Sequence, residues 1–252
     1  MRRLALLIAL VVALACDDAV SPGTPTPAPE PTPGPAVRVL LLTATAGFRH
    51  DSIGAARAAL TALGTSSGEF VVSHTEDVTA VTAAALAGTD VLMFGLTSGE
   101  LAFSDAQKAA VLEFVNGGGG FIGVHSATDT LYTWPEYGTL IGAYFREHPW
   151  TQAATVTVED RTHPSTTNLG GSFVIDEEFY TFREHPRARV RVLLSLDASS
   201  VGSTGDYPLA WTRTMGQGRV YYNALGHFAA TWADSRFLTQ IRGAIRWAAG
   251  RS

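Results

Sequence analysis

Residues 116–129, NGGGGFIGVHSATD, decide the fold. The glycine run from Gly117 to Gly120 stops a helix, and Phe121, Ile122, Gly123 and Val124 follow without a polar break. A short apolar run of this kind reads as a strand buried on both faces. His125, Ser126, Thr128 and Asp129 come straight after it, at the carboxyl end of the strand, where open parallel sheets bind their ligands. Gly123-Val124-His125-Ser126-Ala127 also has the small-x-polar-x-small form of a nucleophile elbow, a tight strand-to-helix turn that presents its central side chain. With histidine at the centre, the turn offers a base, an acid or a metal ligand, and no acyl-forming nucleophile.

Outward from this stretch the chain alternates strands and helices. Strands are expected at 37–43, 69–73 and 90–96, with helices at 51–63, 78–86 and after the capping box formed by Ser104 and Gln107. This β-α-β-α alternation argues a doubly wound α/β sheet with helices on both faces, three layers in all. Beyond Asp129 the pattern changes to an aromatic segment, in which Pro135 is suited to open a short helix. Strands follow at 152–159, 173–175 (running into Asp176-Glu177-Glu178-Phe179-Tyr180) and 189–196, then a hairpin of 209–213 with 218–224. A last helix over 234–249 presents Phe237, Leu238, Ile241, Ile245 and Trp247.

The 252 residues carry a net charge of −5, and no basic stretch is able to follow a phosphate backbone, which argues against nucleic-acid binding. Residues 1–16, MRRLALLIALVVALAC, have two arginines before a 12-residue apolar run, too short to span a bilayer, and read as a signal peptide. Cys16 is the one cysteine of the chain, and Leu14-Ala15-Cys16 resembles a bacterial lipobox, although Ala13 stands where leucine is commoner. The expectation is a membrane-anchored lipoprotein, periplasmic or at the cell surface, touching the membrane through the Cys16 lipid alone. Residues 17–36, dense in proline and threonine, form a semi-rigid tether, and the globular domain runs over 37–252.

LLTATAGFRHDSI, GGFIGVHSATDTLYTWPEYGTLIGAYFREHP, VEDRTHPST, DEEFYTF and GRVYYNALGHF occur in that order and cover nearly the whole domain. Together they resemble the trehalose-utilisation (ThuA-like) family. The resemblance implies a flavodoxin-like sheet similar to that of class I glutamine amidotransferases, with His125 at the elbow where those enzymes carry cysteine and His227 near their triad histidine. Amidotransferase chemistry is then expected to be absent. The family is associated with sugar metabolism, so the implied partner is a small-molecule sugar.

Several residues carry candidate chemistry. His50 closes the first β-α loop at a helix N-terminus, a position that favours neutral imidazole and, with Arg49, attracts anions. Asp129 lies one turn beyond His125 and could orient it or add a carboxylate. Asp176 and Glu178 share one face of an extended chain; the family motif singles out Glu178, leaving Asp176 and Glu177 to a solvated acidic edge, with Tyr180 beside the substrate. His227 follows Gly226, which suggests a tight bend presenting the ring. His148, before Pro149, lines the cleft or braces the loop, whereas His163, His185 and His74 have structural or surface roles. Among Tyr132, Trp134, Tyr137, Tyr144 and Trp150, the candidates for stacking on a sugar are Trp134 and Tyr137.

His50, His125 and His227 with a carboxylate are the ingredients of an open divalent-metal site. A metal-free acid/base cleft fits the same residues. The leading expectation is an enzyme acting on a carbohydrate, a keto-sugar or glycoside, as isomerase, lyase or hydrolase, with His125, His50, Glu178, His227 and Asp129 as its catalytic groups. The alternative is a non-catalytic sugar-binding module of the cell envelope. An enzyme should gather its titratable groups into one cleft; a binder should show an aromatic platform with the histidines apart.

Overall fold

The structure is a computed structural model, and it describes residues 34–251. The signal peptide, the lipobox with Cys16, and residues 17–33 of the tether lie outside the described residues. The first strand begins at Val37, where the proline-rich composition ends.

The chain runs β1 (Val37–Leu42), α1 (Ile53–Ser67), β2 (Phe70–Thr75), α2 (Ala83–Ala87), β3 (Val91–Gly95), α3 (Asp105–Asn116) and β4 (Gly120–Val124). After β4 come α4 (Pro135–Ile141), β5 (Phe145–Val158), β6 (Ser172–Phe182), β7 (Arg191–Leu196), β8 (Tyr207–Met215), β9 (Gly218–Asn223) and α5 (Ser235–Ala248). The nine strands form one sheet in the order β2-β1-β3-β4-β9-β8-β7-β5-β6. Strands β2, β1, β3, β4 and β9 are mutually parallel, and β8, β7, β5 and β6 extend the sheet with antiparallel pairs.

Strand β4 is buried along its whole length, because helices cover both sides of it. A Cβ at Gly120 would meet Ala248 of α5, and one at Gly123 would meet Ile141 of α4. Those two positions are an odd number of residues apart, so they face opposite sides of the sheet, and α5 and α4 lie in different layers. This is the expected three-layer α/β, flavodoxin-like arrangement. Ser104 and Gln107 close both halves of the capping box that starts α3.

Two segments depart from the expectation. The helix expected over 78–86 is interrupted: a 3-10 turn, Val78–Ala80, ends before Thr82, whose extended backbone and side chain (accepting from Ala85 N at 3.1 Å) restart it as α2. Strand β5 begins seven residues earlier than expected, at Phe145, and runs through Pro149 with register shifts between Phe145 and Trp150. Such shifts mark bulges, which bend a strand and release its backbone from the ladder where proline has no N–H to give.

Trp134 and Tyr137 are core residues, which corrects the sugar-contact reading. Tyr137 is 0% exposed, stacks between Phe94 and Trp134, and donates its hydroxyl to the Ala127 carbonyl at 2.6 Å. α4 turns its aromatic face inward onto the sheet, and Trp134 packs against Phe103 there. The rings stabilise the fold by burial and have no face left for a ligand.

His163 plays the structural part expected of it. It is buried, stacks on Tyr221 and meets Trp247 edge-on, and its Nδ1 accepts from Ser165 N at 3.2 Å. Burial, with Arg191 nearby, outweighs Asp160 and holds this imidazole down at about 4. The unfolded chain, with its ordinary value near 6.5, therefore takes up the proton first as the pH falls. The stabilisation from His163 is complete above about pH 6.5 and is lost through the window down to about 4, by up to about 1.4 kcal/mol per pH unit. Urea unfolding at pH 7 and pH 4.5 should show a smaller loss for His163→Phe than for the unsubstituted chain; equal losses would remove His163 as a source of acid sensitivity.

Candidate active site

Three of the parallel strands, β1, β4 and β9, end on the same rim of the sheet and deliver one histidine each. His125 follows β4 directly and has φ 52°, a left-handed conformation that bulky residues rarely adopt. That value is the strained turn expected of an elbow. Ring Nδ1–H of His125 donates to the carbonyl of Ala224, just past β9, at 2.7 Å. Because a carbonyl only accepts, this bond places the proton on Nδ1 and leaves the Nε2 lone pair directed into the site.

His50 reaches the site from the loop after β1, with its Nε2 3.1 Å from His125 Nε2. His227 follows Gly226, whose φ of +124° makes the expected bend, and sets its Nδ1 3.2 Å from His125 Nε2. Glu178 comes from β6, at the far end of the sheet order, on the bent β5–β6 hairpin. Its Oε2 lies 3.4 Å from His125 Nε2 and 3.2 Å from His227 Nδ1. One ligand atom from each of His50, His125, Glu178 and His227 falls within 4.8 Å of all the others. The four residues that the sequence singled out therefore meet in one cluster.

The surroundings also answer to the sequence reading in part. Tyr180 places its hydroxyl 2.9 Å from His125 Nε2, and burial pushes that phenol well up, so it remains a donor. His148 sets Nδ1 3.2 Å from the other oxygen of Glu178. Asp129 accepts the Tyr132 hydroxyl at 2.5 Å, yet burial outweighs this bond and pushes its carboxyl up. Arg49 is not brought to the cluster. Its guanidinium makes two hydrogen bonds to Glu76, at 2.8 and 3.0 Å, and this local carboxylate replaces the anionic ligand expected for it.

The electrostatics are those of a histidine cluster around one carboxylate. His50 is held down at about 3, first by burial and then by His125 and His227, rather than chiefly by the helix N-terminus. For Glu178, burial pushes up, but the neighbouring imidazoles of His125 and His227 pull further down and keep it ionised. His227 is raised, above all by its hydrogen bond to Glu178. The lone pair of His125 Nε2 and the Glu178 oxygen are two acceptors facing each other, an arrangement that needs a cation between them, either a proton or a metal ion.

The donor set fits a metal. With bonds of about 2.0–2.1 Å, the corners of a tetrahedral site lie about 3.3–3.4 Å apart. The four short separations here are 3.1, 3.2, 3.2 and 3.4 Å. The Nδ1–H of His125 bonded to a backbone carbonyl is also the outer contact that orients a ligating histidine.

A comparison with protein families settles the membership: the model of the family described as trehalose utilisation, ThuA, matches residues 38–248. The chain belongs to the ThuA family. Among solved structures, a ThuA-like protein of Bacteroides uniformis is 24% identical with a TM-score of 0.72, covering 89% of this chain and 95% of its own. A ThuA-like protein of Parabacteroides merdae is 18% identical with a TM-score of 0.71, covering 86% and 91%. A β-galactosidase of Bacillus circulans sp. alkalophilus shares the fold at 14% identity and a TM-score of 0.57, over 86% of this chain and 31% of that enzyme. No curated protein matches the chain.

One residue that braces the cluster of this ThuA domain escaped the sequence reading. Glu177, assigned to a solvated edge, is 0% exposed. Its carboxylate accepts from Gly226 N at 2.8 Å, His227 N at 3.2 Å, Glu178 N at 3.0 Å and the Thr231 hydroxyl. It therefore ties the turn that carries His227 to the strand that carries Glu178. The available signal was the alternation itself: in the extended run Asp176-Glu177-Glu178, Glu177 must face the side opposite to its two acidic neighbours. Glu177→Ala should cost about 2–4 kcal/mol in unfolding free energy, since it orphans buried donors, and should displace His227 in a crystal structure. A variant as stable as the parent, with His227 in place, would show that the turn needs no carboxylate.

Proposed function

We propose that this ThuA-family chain is a metal-dependent enzyme of carbohydrate metabolism, acting on a keto-sugar or glycoside at the His50–His125–Glu178–His227 centre. The observation that carries this reading is the convergence of four ligand atoms within 4.8 Å, four of their six separations lying close to the edge length of a tetrahedral site. Titratable groups gathered into one hollow favour an enzyme over a sugar-binding module. The family's description as trehalose utilisation supports a sugar as the substrate.

A divalent ion bound there supplies Lewis acidity toward a sugar carbonyl or hydroxyl. The protein's own groups then divide the remaining work. Glu177 and the Ala224 carbonyl fix the orientation of His227 and His125. Tyr180 offers a hydroxyl hydrogen to the reacting sugar's oxygens. Asp129, with its carboxyl pushed up by burial, and His148, with a side chain 50% exposed beside Glu178, are the groups placed to move a proton. Removal of a proton next to a carbonyl, leading to isomerisation or elimination, suits this equipment better than hydrolysis by paired carboxylates. We propose also that the chain is exported and held at the membrane by lipid on Cys16, as the leader, lone cysteine and proline-rich tether suggest.

The test is metal analysis of the purified full-length protein, followed by assay on disaccharides and their keto derivatives. The expected result is about one equivalent of a divalent transition metal, lost in His125→Ala and Glu178→Gln, with turnover falling at least about 100-fold in both. Full activity in His125→Ala, or turnover that survives complete chelation, would overturn the metal-dependent reading.

A further inference from the structure

Among the described residues, three large hydrophobic side chains are exposed: Phe48, Val71 and Val174. The two valines lie on β2 and β6, the outermost strands of the sheet. Single exposed hydrophobics on edges are ordinary and carry no inference. Phe48 differs in what it touches and in how it is held. It is 65% exposed, and its ring stands edge-to-face on His50 with centroids 4.8 Å apart. His50 in turn lies 4.7 Å from the His125 ring and 5.2 Å from that of His227. A ligand lying on Phe48 is thus one ring away from the cluster.

The backbone under Phe48 is pinned. Ala46 N and Gly47 N both donate to Ser98 O, at 2.8 and 3.2 Å, and the Ser98 hydroxyl donates to Phe48 O at 2.6 Å. The two loops meet closely because Gly99 has φ +74° and no side chain; a Cβ there would stand 2.5 Å from Gly47 N. An aromatic ring 65% exposed on a pinned backbone is preorganised for a partner. Across the cluster, Phe228 packs edge-to-face on His227 in the same way, with centroids 4.6 Å apart. The groups beside the hollow are His148 and Tyr180, which can bond hydroxyls.

We infer that Phe48 is the stacking platform for the substrate, receiving the apolar C–H face of a neutral sugar ring whose oxygens point into the His/Glu hollow. This assignment rests on the carbohydrate reading above, and it transfers the stacking role from the buried Trp134 and Tyr137 to a residue that can meet a ligand. Phe48 is 65% exposed and carries no metal-ligating atom, so its removal should spare fold and metal content.

The experiment uses the full chain with Phe48→Ala and Phe48→Trp. Cellobiose, maltose, trehalose and their keto derivatives serve as probes. Phe48→Ala should raise KM about 10- to 30-fold with kcat within about twofold, and Phe48→Trp should retain the parental KM. Metal content and unfolding midpoint should match the parent in both. The indole of Phe48→Trp should change its emission saturably on titration with the sugar that is turned over. An unchanged KM in Phe48→Ala, in a protein that turns over sugar, overturns the platform alone. Saturable sugar binding by Phe48→Trp without turnover by the parent overturns the enzyme and supports the platform. Absence of both binding and turnover overturns the two together.

Discussion

The hydrogen bond from His125 Nδ1 to the Ala224 carbonyl is the constraint from which the candidate site follows. It joins the end of β4 to the end of β9, neighbours in the sheet though a hundred residues apart in the chain. It also fixes which nitrogen of His125 is bare. The left-handed backbone at His125 aims that nitrogen inward, and the ring cannot rotate without giving up the carbonyl. His50, Tyr180, His227 and Glu178 each place an atom within 3.4 Å of this nitrogen. The tyrosine hydroxyl of Tyr222 adds a second fastening, donating to the backbone oxygen of His125 at 2.7 Å.

The sheet brings its two halves to that point by different means. The parallel half does so by topology alone, since adjacent parallel strands end on one rim and their loops must meet. The antiparallel half has no such rule to follow. Its last strand lies farthest from β4, and Glu178 enters the cluster beside the stretch where the β5–β6 register is irregular, as bulges bend a hairpin. A carboxylate among three imidazoles is stable there because its charge is shared with His227 rather than left bare. The cost of gathering these groups is partly met by the surrounding apolar packing of Tyr222, Trp211 and Phe182.

Much of the parallel half was legible in the sequence. The glycine stop, the unbroken apolar strand and the polar groups behind it announced a buried strand, and the structure has it, with the histidine cluster at its end. His50, His125 and His227 were legible for the same reason, each following a strand in a loop on the predicted rim. Glu178 was legible through the family motif, and only ambiguously through alternation. Aromatic residues were misread, because composition does not tell which face of a short helix is inward: Trp134 and Tyr137 turned to the core. Phe48 went unnoticed because a lone phenylalanine in a loop has no period to signal its direction. Arg49 was misread because its partner Glu76 lies on another element, after β2.

Adjacent placement of Glu177 and Glu178 has a consequence for the architecture as a whole. One acid binds the turn that carries His227, and its neighbour joins the imidazoles, so strand β6 holds buttress and cluster carboxylate in consecutive positions. Sliding that strand by a single residue against β5 would reverse the two sides and present each carboxylate to the wrong company. The outer hairpin is therefore a ruler as much as a cover: its pairing with β5 measures out which acid enters the hollow.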